Sequence, residues 1–304
     1  MGAQKLMEKR QVVLKNGEVY HYLEQGQGDQ TIILVHGNFS SSLFFTPLLQ
    51  RLPRNVKVLA PDLRGYGDST YYRRIKSLAD FAEDIYLFMK AKSIEKADII
   101  GWSLGGSVAL ELGALHPESV NHLVLINAST HRGYPIFKKD EKGYPLVGQT
   151  YASPEEMGKD EVQVKPLLEA QKNGNFDLIS TIFEKTIYTV NKPTKEDNTL
   201  WINESLKQRN LMDADWALAN QNMSAIHNFY NAGTNNITKV KAKILHTWGK
   251  QDITVPEYMV LDNVKALEKQ STYIVYDPCG HSPLVDVPDQ LTKDICDFLN
   301  IKLN

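Results

Sequence analysis

Residues 99–106 read Ile-Ile-Gly-Trp-Ser-Leu-Gly-Gly and contain the pattern Gly-x-Ser-x-Gly around Ser103. The two isoleucines before the pattern are typical of a strand, and the Ala-, Leu- and Val-rich run 104–115 after it is typical of a helix. In that context the pattern predicts a tight, strained turn that projects the serine hydroxyl above a sheet. The turn also places Ser103 at the N-terminus of a helix, where developing negative charge is favoured. Ser103 is therefore the candidate nucleophile.

Strand and helix patterns alternate on both sides of this turn. An Asn-Gly pair at 16–17 between two apolar runs predicts a hairpin at the start of the chain. Apolar runs predict strands at 31–35, 56–60, 97–100, 120–126, 242–248 and 272–276, and helical spacing predicts helices at 43–52, 78–89, 104–115, 256–268 and 287–299. This alternation predicts an α/β fold with a mostly parallel central sheet flanked by helices.

The alternation is interrupted between residues 130 and 238, where helical patterns occur without a clear strand. Ser153 before Pro154 predicts a helix start, and apolar stripes predict further helices at 178–187 and 216–226. Because strand–helix units resume afterwards, we expect one core domain built from residues 1–129 and 239–304. Residues 130–238 would then form a helical cap, or lid, inserted into that domain.

A serine nucleophile needs a base within hydrogen-bond reach, and the base needs an orienting group. His281 follows the predicted strand 272–276, and Asp252 follows the predicted strand 242–248. Loops at the carboxyl ends of parallel strands meet at one edge of the sheet, so both side chains are expected near Ser103. We therefore assign His281 as general base and Asp252 as the acid that orients it, with Asp68 as a weaker alternative acid.

Several short blocks resemble the α/β-hydrolase superfamily over nearly the whole chain. They are His36-Gly37-Asn38, the run 62–69 (Asp-Leu-Arg-Gly-Tyr-Gly-Asp-Ser), the elbow 101–105, Gly249–Asp252 followed by Pro256, and Gly280-His281. The order Ser, Asp, His is also the order of that superfamily. The string at 101–106 is similar to that of some carboxylesterases, pimeloyl-carrier-protein methyl ester esterases among them.

The resemblance implies an oxyanion hole made by the backbone N–H groups of Asn38 and Leu104. Phe39 is the alternative donor if the loop is shifted by one residue. Phe39 and Trp102 flank the expected site, so we also predict that they line the substrate pocket.

The predicted function is hydrolysis of a small carboxylic ester or lactone through an acyl-enzyme, with no metal or organic cofactor. Related dehalogenases and epoxide hydrolases carry Asp where this chain has Ser103, so their alkyl-enzyme mechanism is disfavoured. C–C bond hydrolysis and aminopeptidase chemistry use the same triad and stay open as alternatives. Two other classes of function stay open: a small-molecule receptor with a hydrolase-like pocket, and a protein that keeps the fold for structural or interaction purposes.

The composition limits the kinds of partner and the compartment that we expect for this chain. Charged residues make up 23% of the chain, with a formal net charge of −2, which does not favour a nucleic-acid partner. The apolar runs are shorter than a membrane span, and the N-terminus lacks the apolar stretch of a secretory signal. Gly2 does not fit the myristoylation pattern, because residue 6 is Leu. The two cysteines, Cys279 and Cys296, are expected to be reduced thiols of a cytoplasmic protein. The sequence leaves acyl preference and oligomeric state open.

Overall fold

The computed structural model describes residues 8–303, so the expectations for a signal segment and for Gly2 lie outside the described residues. Within this range, eight strands form a single sheet. They are β1 (Arg10–Val13), β2 (Val19–Gln25), β3 (Thr31–Val35), β4 (Lys57–Pro61), β5 (Ala97–Trp102), β6 (Val120–Ile126), β7 (Lys243–Gly249) and β8 (Ser271–Tyr276). Their spatial order is β1-β2-β4-β3-β5-β6-β7-β8. The pairs β1/β2 and β2/β4 are antiparallel and the others are parallel, which confirms the predicted mostly parallel sheet.

Helices cover both faces of this sheet and fill the long connection between β6 and β7. The α-helices are α1 (Thr46–Arg51), α2 (Leu78–Ala91), α3 (Leu104–Leu115), α4 (Pro154–Met157), α5 (Lys165–Lys172), α6 (Phe176–Thr186), α7 (Lys195–Ser205), α8 (Leu211–Asn220), α9 (Glu257–Ala266), α10 (Pro283–Asp286) and α11 (Pro288–Phe298). Short 3₁₀ helices occur at Ser42–Phe45, Pro117–Ser119, Asn236–Lys239 and Glu268–Gln270. None of the described helices is long and apolar enough to cross a membrane.

The central strands are apolar on both faces because each face packs against helices. In β3, Ile33 and Val35 belong to one buried cluster, whereas Ile32 and Leu34 belong to another on the opposite face. The first cluster includes residues of α2 and α3, and the second includes residues of α1 and α11. Side chains alternate between the faces of a strand, so a run without polar residues is what a doubly covered sheet requires.

The segment between β6 and β7 carries α4–α8. The start of α4 and the bounds of α6 lie close to the predicted helix start at Ser153 and the predicted helix 178–187, whereas α5 and α7 were not predicted individually. Ser153 caps α4 as its side chain accepts a hydrogen bond from the backbone N–H of Glu156, as predicted from the sequence. Helices α5 to α8 contribute side chains to the same cluster that contains Phe39 of the loop after β3, Phe183 and Trp201 among them. This inserted segment therefore lies against the carboxyl ends of the strands, where the candidate site is built.

The helix predicted over 216–226 was wrong in its second half, because α8 ends at Asn220. Beyond Asn220, backbone carbonyl groups accept hydrogen bonds from asparagine side chains and not from the N–H groups of a continuing helix. Asn222 Nδ2 donates to Ile226 O at 2.8 Å, and Asn228 Nδ2 donates to Gln221 O at 3.0 Å. Such local side-chain bonds compete with helical hydrogen bonding. Residues 131–153 likewise contain no α-helix within the described structure.

Candidate active site

Ser103 occupies the turn between β5 and α3, with φ 54° and ψ −123°. This left-handed conformation is strained for a residue with a side chain, and the surrounding backbone must hold it. A Cβ on Gly101 would lie 2.2 Å from Gly105 O, and a Cβ on Gly105 would lie 2.0 Å from Val35 O. The glycines of the pattern are therefore required by close backbone approach. The strained turn predicted from the sequence is present.

Asp252 and His281 come together from the loops after β7 and β8. His281 Nδ1 lies 2.8 Å from Asp252 Oδ2, and both side chains are buried, with exposed fractions of 2% and 0%. The two loops pack tightly, since a Cβ on Gly249 would lie 2.1 Å from Gly280 O. An ionised carboxylate only accepts hydrogen bonds, so His281 Nδ1 must carry the proton. In neutral His281 this leaves Nε2 as an acceptor.

The carboxylate of Asp252 receives hydrogen bonds at both oxygens. Oδ2 also accepts from Asn127 Nδ2 at 2.7 Å, and Oδ1 accepts from the backbone N–H groups of Thr254 at 2.8 Å and Val255 at 2.9 Å. Burial acts to raise the pKa of the Asp252 carboxyl, but the charge of His281 and these hydrogen bonds hold the pKa below its ordinary value. Asp252 is therefore an anion at neutral pH.

Asn127 was missed in the sequence analysis. It follows β6 directly, adopts φ 45°, and its Nδ2 donates to Gly280 O at 3.1 Å as well as to Asp252. Asn127 thus ties the acid to the loop that carries His281. A polar residue at the carboxyl end of a central strand was the available signal.

Ser103 and His281 line one cavity of about 180 Å³. Its other walls are apolar or uncharged side chains: Asn38, Phe39, Trp102, Leu167, Ile182, Phe183, Thr186, Ile187 and Thr254. Trp102 also holds His281, the candidate base, because its Nε1 donates to His281 O at 2.9 Å. Among the described residues, no hydrogen bond joins Ser103 Oγ to His281 Nε2. In enzymes without substrate such a bond is often long and shortens only on binding.

The loop after β3 lies directly beside the serine. A Cβ on Gly37 would lie 3.1 Å from Ser103 Cβ. Within the part of the chain that the structure describes, the backbone N–H groups of Asn38 and Leu104 have no protein acceptor. The N–H of Phe39, in contrast, donates to Asn38 Oδ1 and to Gln208 Oε1, both at 3.0 Å. This occupancy favours Asn38 over Phe39 as the second oxyanion donor.

Asp68, the alternative acid, lies in an ion-pair cluster. Lys9 Nζ is 2.7 Å from Asp62 Oδ2, 2.9 Å from Asp68 Oδ2 and 2.6 Å from Glu204 Oε2. These three carboxylates come within 4.8 Å of one another, a spacing that could hold a metal ion. In this structure the ammonium group of Lys9 already occupies that position, and Asp68 also pairs with Lys207. The geometry therefore gives Asp68 a role in ion pairing and Asp252 the contact with His281.

Cys279 lies two residues before His281 and is fully buried. Burial is the main cause that raises the pKa of its thiol above the ordinary value, and the charge of Asp286 adds to it. Cys279 is thus a neutral thiol at neutral pH, and such a group is a poor nucleophile.

Comparison with known proteins agrees with this architecture. A family model described as "alpha/beta hydrolase fold" matches residues 30–288. A pimeloyl-[acyl-carrier protein] methyl ester esterase of Neisseria meningitidis serogroup B (strain MC58) is 42% identical over 94 residues, which are 31% of this chain and 34% of that protein. The match thus spans about a third of that relative. An enzyme of the same name from Aliivibrio salmonicida (strain LFI1238) is 22% identical over 282 residues, 92% of this chain and 95% of that one.

Among solved structures, the enol-lactonase from Burkholderia xenovorans LB400 superposes with a TM-score of 0.71 at 17% identity, covering 96% of this chain and 100% of that one. A putative aryl esterase from Burkholderia cenocepacia gives a TM-score of 0.72 at 19% identity, with 97% and 98% covered. At these identities the likeness shows the fold alone.

Proposed function

The chain belongs to the alpha/beta hydrolase fold family, and from this premise we propose that it is a serine hydrolase that cleaves a small carboxylic ester or lactone. The observation that carries the proposal is a cavity lined by both Ser103 and His281, with His281 Nδ1 bonded to buried Asp252. The names of the relatives and structural neighbours, esterase and lactonase among them, support the same bond type.

In the proposed mechanism Ser103 Oγ attacks the carbonyl carbon while His281 Nε2 takes the hydroxyl proton. The tetrahedral oxyanion accepts hydrogen bonds from the backbone N–H groups of Leu104 and Asn38. His281 then protonates the leaving alcohol. In the second half of the reaction His281 takes a proton from water, the water attacks the acyl carbon, and His281 returns the proton to Ser103 Oγ as the acid is released. Asp252 stabilises the imidazolium and keeps Nδ1 protonated. Each oxyanion donor is worth roughly two to three powers of ten in rate.

The cavity supports a small, uncharged acyl group as the preferred substrate portion. Its walls are mainly apolar, and the only titratable side chain among its described lining residues is His281. An aminopeptidase would need a carboxylate beside the substrate ammonium, and none of the described lining residues supplies one. Neutral esters and lactones therefore fit this cavity better than substrates with a free amino group.

We also propose that α4–α8 act as a cap over the cavity. Leu167 of α5 and Ile182 and Phe183 of α6 contribute to its walls. A cap in this place would shape the acyl pocket and exclude water from the acyl-enzyme. The proposed core and cap correspond to residues 1–129 with 239–304 and to residues 130–238.

The test is the initial hydrolysis rate on p-nitrophenyl esters from acetate to long acyl chains, measured for the wild type, Ser103→Ala and Ser107→Ala. Ser107 is the matched control, since it lies one turn into α3, the helix that Ser103 precedes, and its hydroxyl bonds to Ser129 Oγ at 2.7 Å. We expect turnover of short chains, a fall in kcat of about a million-fold for Ser103→Ala, and retained activity for Ser107→Ala. Undiminished turnover by Ser103→Ala would reject the mechanism. A wild type that binds a ligand, recruits a protein and turns over no ester would instead favour the receptor class.

A further inference from the structure

The loop after β3 is held by side chains of the inserted segment as well as by the core. Ser205 Oγ, at the end of α7, donates to Phe39 O at 2.7 Å. Gln208 Oε1 accepts from Phe39 N at 3.0 Å. Asp215 of α8 accepts from Asn38 Nδ2 at 2.7 Å. Three residues of the insertion thus bond to two consecutive residues of the loop, including both backbone groups of Phe39.

Phe39 has a conformation that needs such support. Its φ is 52°, in the left-handed region that a bulky side chain disfavours. Ser205 and Gln208 are buried, with exposed fractions of 0% and 4%, so water does not compete for these bonds. Bonds to the N–H and the C=O of Phe39 fix the peptide groups on both of its sides.

The side chain of Asn38 is fixed in the same network. Its Oδ1 accepts from Tyr66 OH at 2.8 Å and from Gln208 Nε2 at 2.9 Å, while its Nδ2 donates to Asp215. With the side chain and the following peptide group both held, the backbone torsions of Asn38 are fixed. The direction of the Asn38 N–H is then fixed too, and this N–H is the proposed oxyanion donor.

We infer that Ser205 and Gln208 are positioning residues for the oxyanion donor Asn38, so that the docked insertion, and not the core alone, completes the oxyanion hole. The inference rests on the proposed function. The rest of the site does not depend on these two residues, because Asp252 and His281 are held by Asn127 and by the loops after β7 and β8. Movement of residues 205–208 away from the loop would thus weaken transition-state stabilisation and leave the nucleophile, base and acid assembled.

The alternative is that these bonds serve only the packing of the insertion. A packing role and a positioning role predict different kinetics. Loss of packing would change KM or folding, whereas loss of oxyanion stabilisation lowers kcat with little change in KM. Exchange of the Phe39 N–H reports separately whether Gln208 holds this part of the loop.

The experiment compares Gln208→Met and Ser205→Ala with the matched controls Asn198→Leu and Ser180→Ala. Asn198 Nδ2 donates to Ser180 Oγ at 2.9 Å, so each control removes one hydrogen bond inside the insertion without touching the loop. We expect Gln208→Met to lower kcat by about 10- to 100-fold and Ser205→Ala by about 5- to 10-fold, part of the effect of losing a whole oxyanion donor. KM should change by less than about threefold, and the controls should stay within about twofold of the wild type. Unchanged kcat in both variants, or a raised KM at unchanged kcat, overturns the inference.

Amide hydrogen exchange gives a second readout that needs no activity. The N–H of Phe39 should exchange at least about tenfold faster in Gln208→Met than in the wild type and the two controls, since it loses a buried acceptor. If Gln208→Met fails to fold, Ser205→Ala, a smaller change, carries the kinetic test. A wild type without ester turnover would reject the proposed function, while faster exchange would still support the hold on the loop. Full ester turnover with unchanged Phe39 exchange in Gln208→Met would reject the positioning role and leave the proposed function standing.

Discussion

Replacing Asp252 with asparagine should abolish most of the activity without disturbing the shape of the site. The four groups that donate to this carboxylate are all N–H groups: His281 Nδ1, Asn127 Nδ2 and the backbone amides of Thr254 and Val255. An asparagine amide offers one accepting and one donating end. In either orientation its NH₂ group therefore faces two donors.

The magnitude follows from what each orientation does to the base. If the NH₂ group faces His281, Nδ1 becomes an acceptor and the proton moves to Nε2, which then cannot take the proton of Ser103. Loss of the correct tautomer lowers kcat by about 10⁴-fold in a Ser-His-Asp protease, which corresponds to about 5.5 kcal/mol in barrier height. If the NH₂ group faces Thr254 and Val255, a buried clash of donors costs about 1–3 kcal/mol in the free energy of unfolding.

The assay is kcat on a short-chain p-nitrophenyl ester at saturating substrate, with circular dichroism and thermal melting to check folding. Asp68→Asn is the matched control, because Asp68 was the alternative acid and is 38% exposed in its pairs with Lys9 and Lys207. Exposed ion pairs contribute little to stability, so Asp68→Asn should fold normally and keep kcat within about threefold of the wild-type value. The reasoning is refuted if folded Asp252→Asn retains more than about a tenth of the wild-type kcat, or if Asp68→Asn shows the large loss instead.

Three further predictions concern the surroundings of the site. Gly105→Ala should lower the free energy of unfolding by more than about 3 kcal/mol, because its Cβ would meet a carbonyl oxygen at 2.0 Å, whereas the nearest atom to the Cβ in Gly113→Ala is a leucine methyl at 3.2 Å. Equal urea midpoints for the two variants would contradict this. Burial, opposed by the Asn38 hydrogen bond, raises the pKa of Asp215 from 3.8 to about 7. Folding therefore takes up a proton between about pH 4 and pH 7, and the free energy of unfolding falls as the pH rises through that range. Asp215→Asn should raise the free energy of unfolding above that of the wild type by about 2–4 kcal/mol at pH 8 and by little at pH 4. In urea titrations, a difference between the two proteins that does not depend on pH would count against this prediction. Iodoacetamide at pH 8 should leave esterase activity within about twofold, since Cys279 and Cys296 are buried thiols; rapid inactivation with alkylation of Cys279 would show otherwise.

The sheet and its order of elements could be predicted because local signals and global fold agree. After Thr31, the residues of β3 are all apolar, and the strand begins and ends as the sequence predicts. The tight turn at Ser103 could also be predicted, since only glycine fits beside the strand at Gly105. The family model then confirms the fold class.

The helix bounds in the segment between β6 and β7 were harder to predict, because its structure depends on polar contacts between residues far apart in the chain. Asn222 and Asn228 end the helical region through bonds that periodicity does not reveal. Gln208 and Asp215 gave no motif at all, because their partners lie about 170 residues earlier in the chain. Asn127 was missed for the same reason: its bond to Asp252 joins residues 125 positions apart. A linear pattern does not mark such pairs, and for Asn127 the one available signal was its position directly after β6.

Covalent labelling tests most directly whether Ser103 is the nucleophile. The wild-type protein is treated with a fluorophosphonate, and the labelled residue is identified by mass spectrometry of its peptides, beside Ser103→Ala. We predict one label per chain, located on Ser103, with loss of ester hydrolysis in proportion to labelling and no label in the variant. Full ester hydrolysis by protein that carries the label on Ser103, loss of hydrolysis while Ser103 stays unlabelled, or a label that persists in Ser103→Ala, would contradict the account.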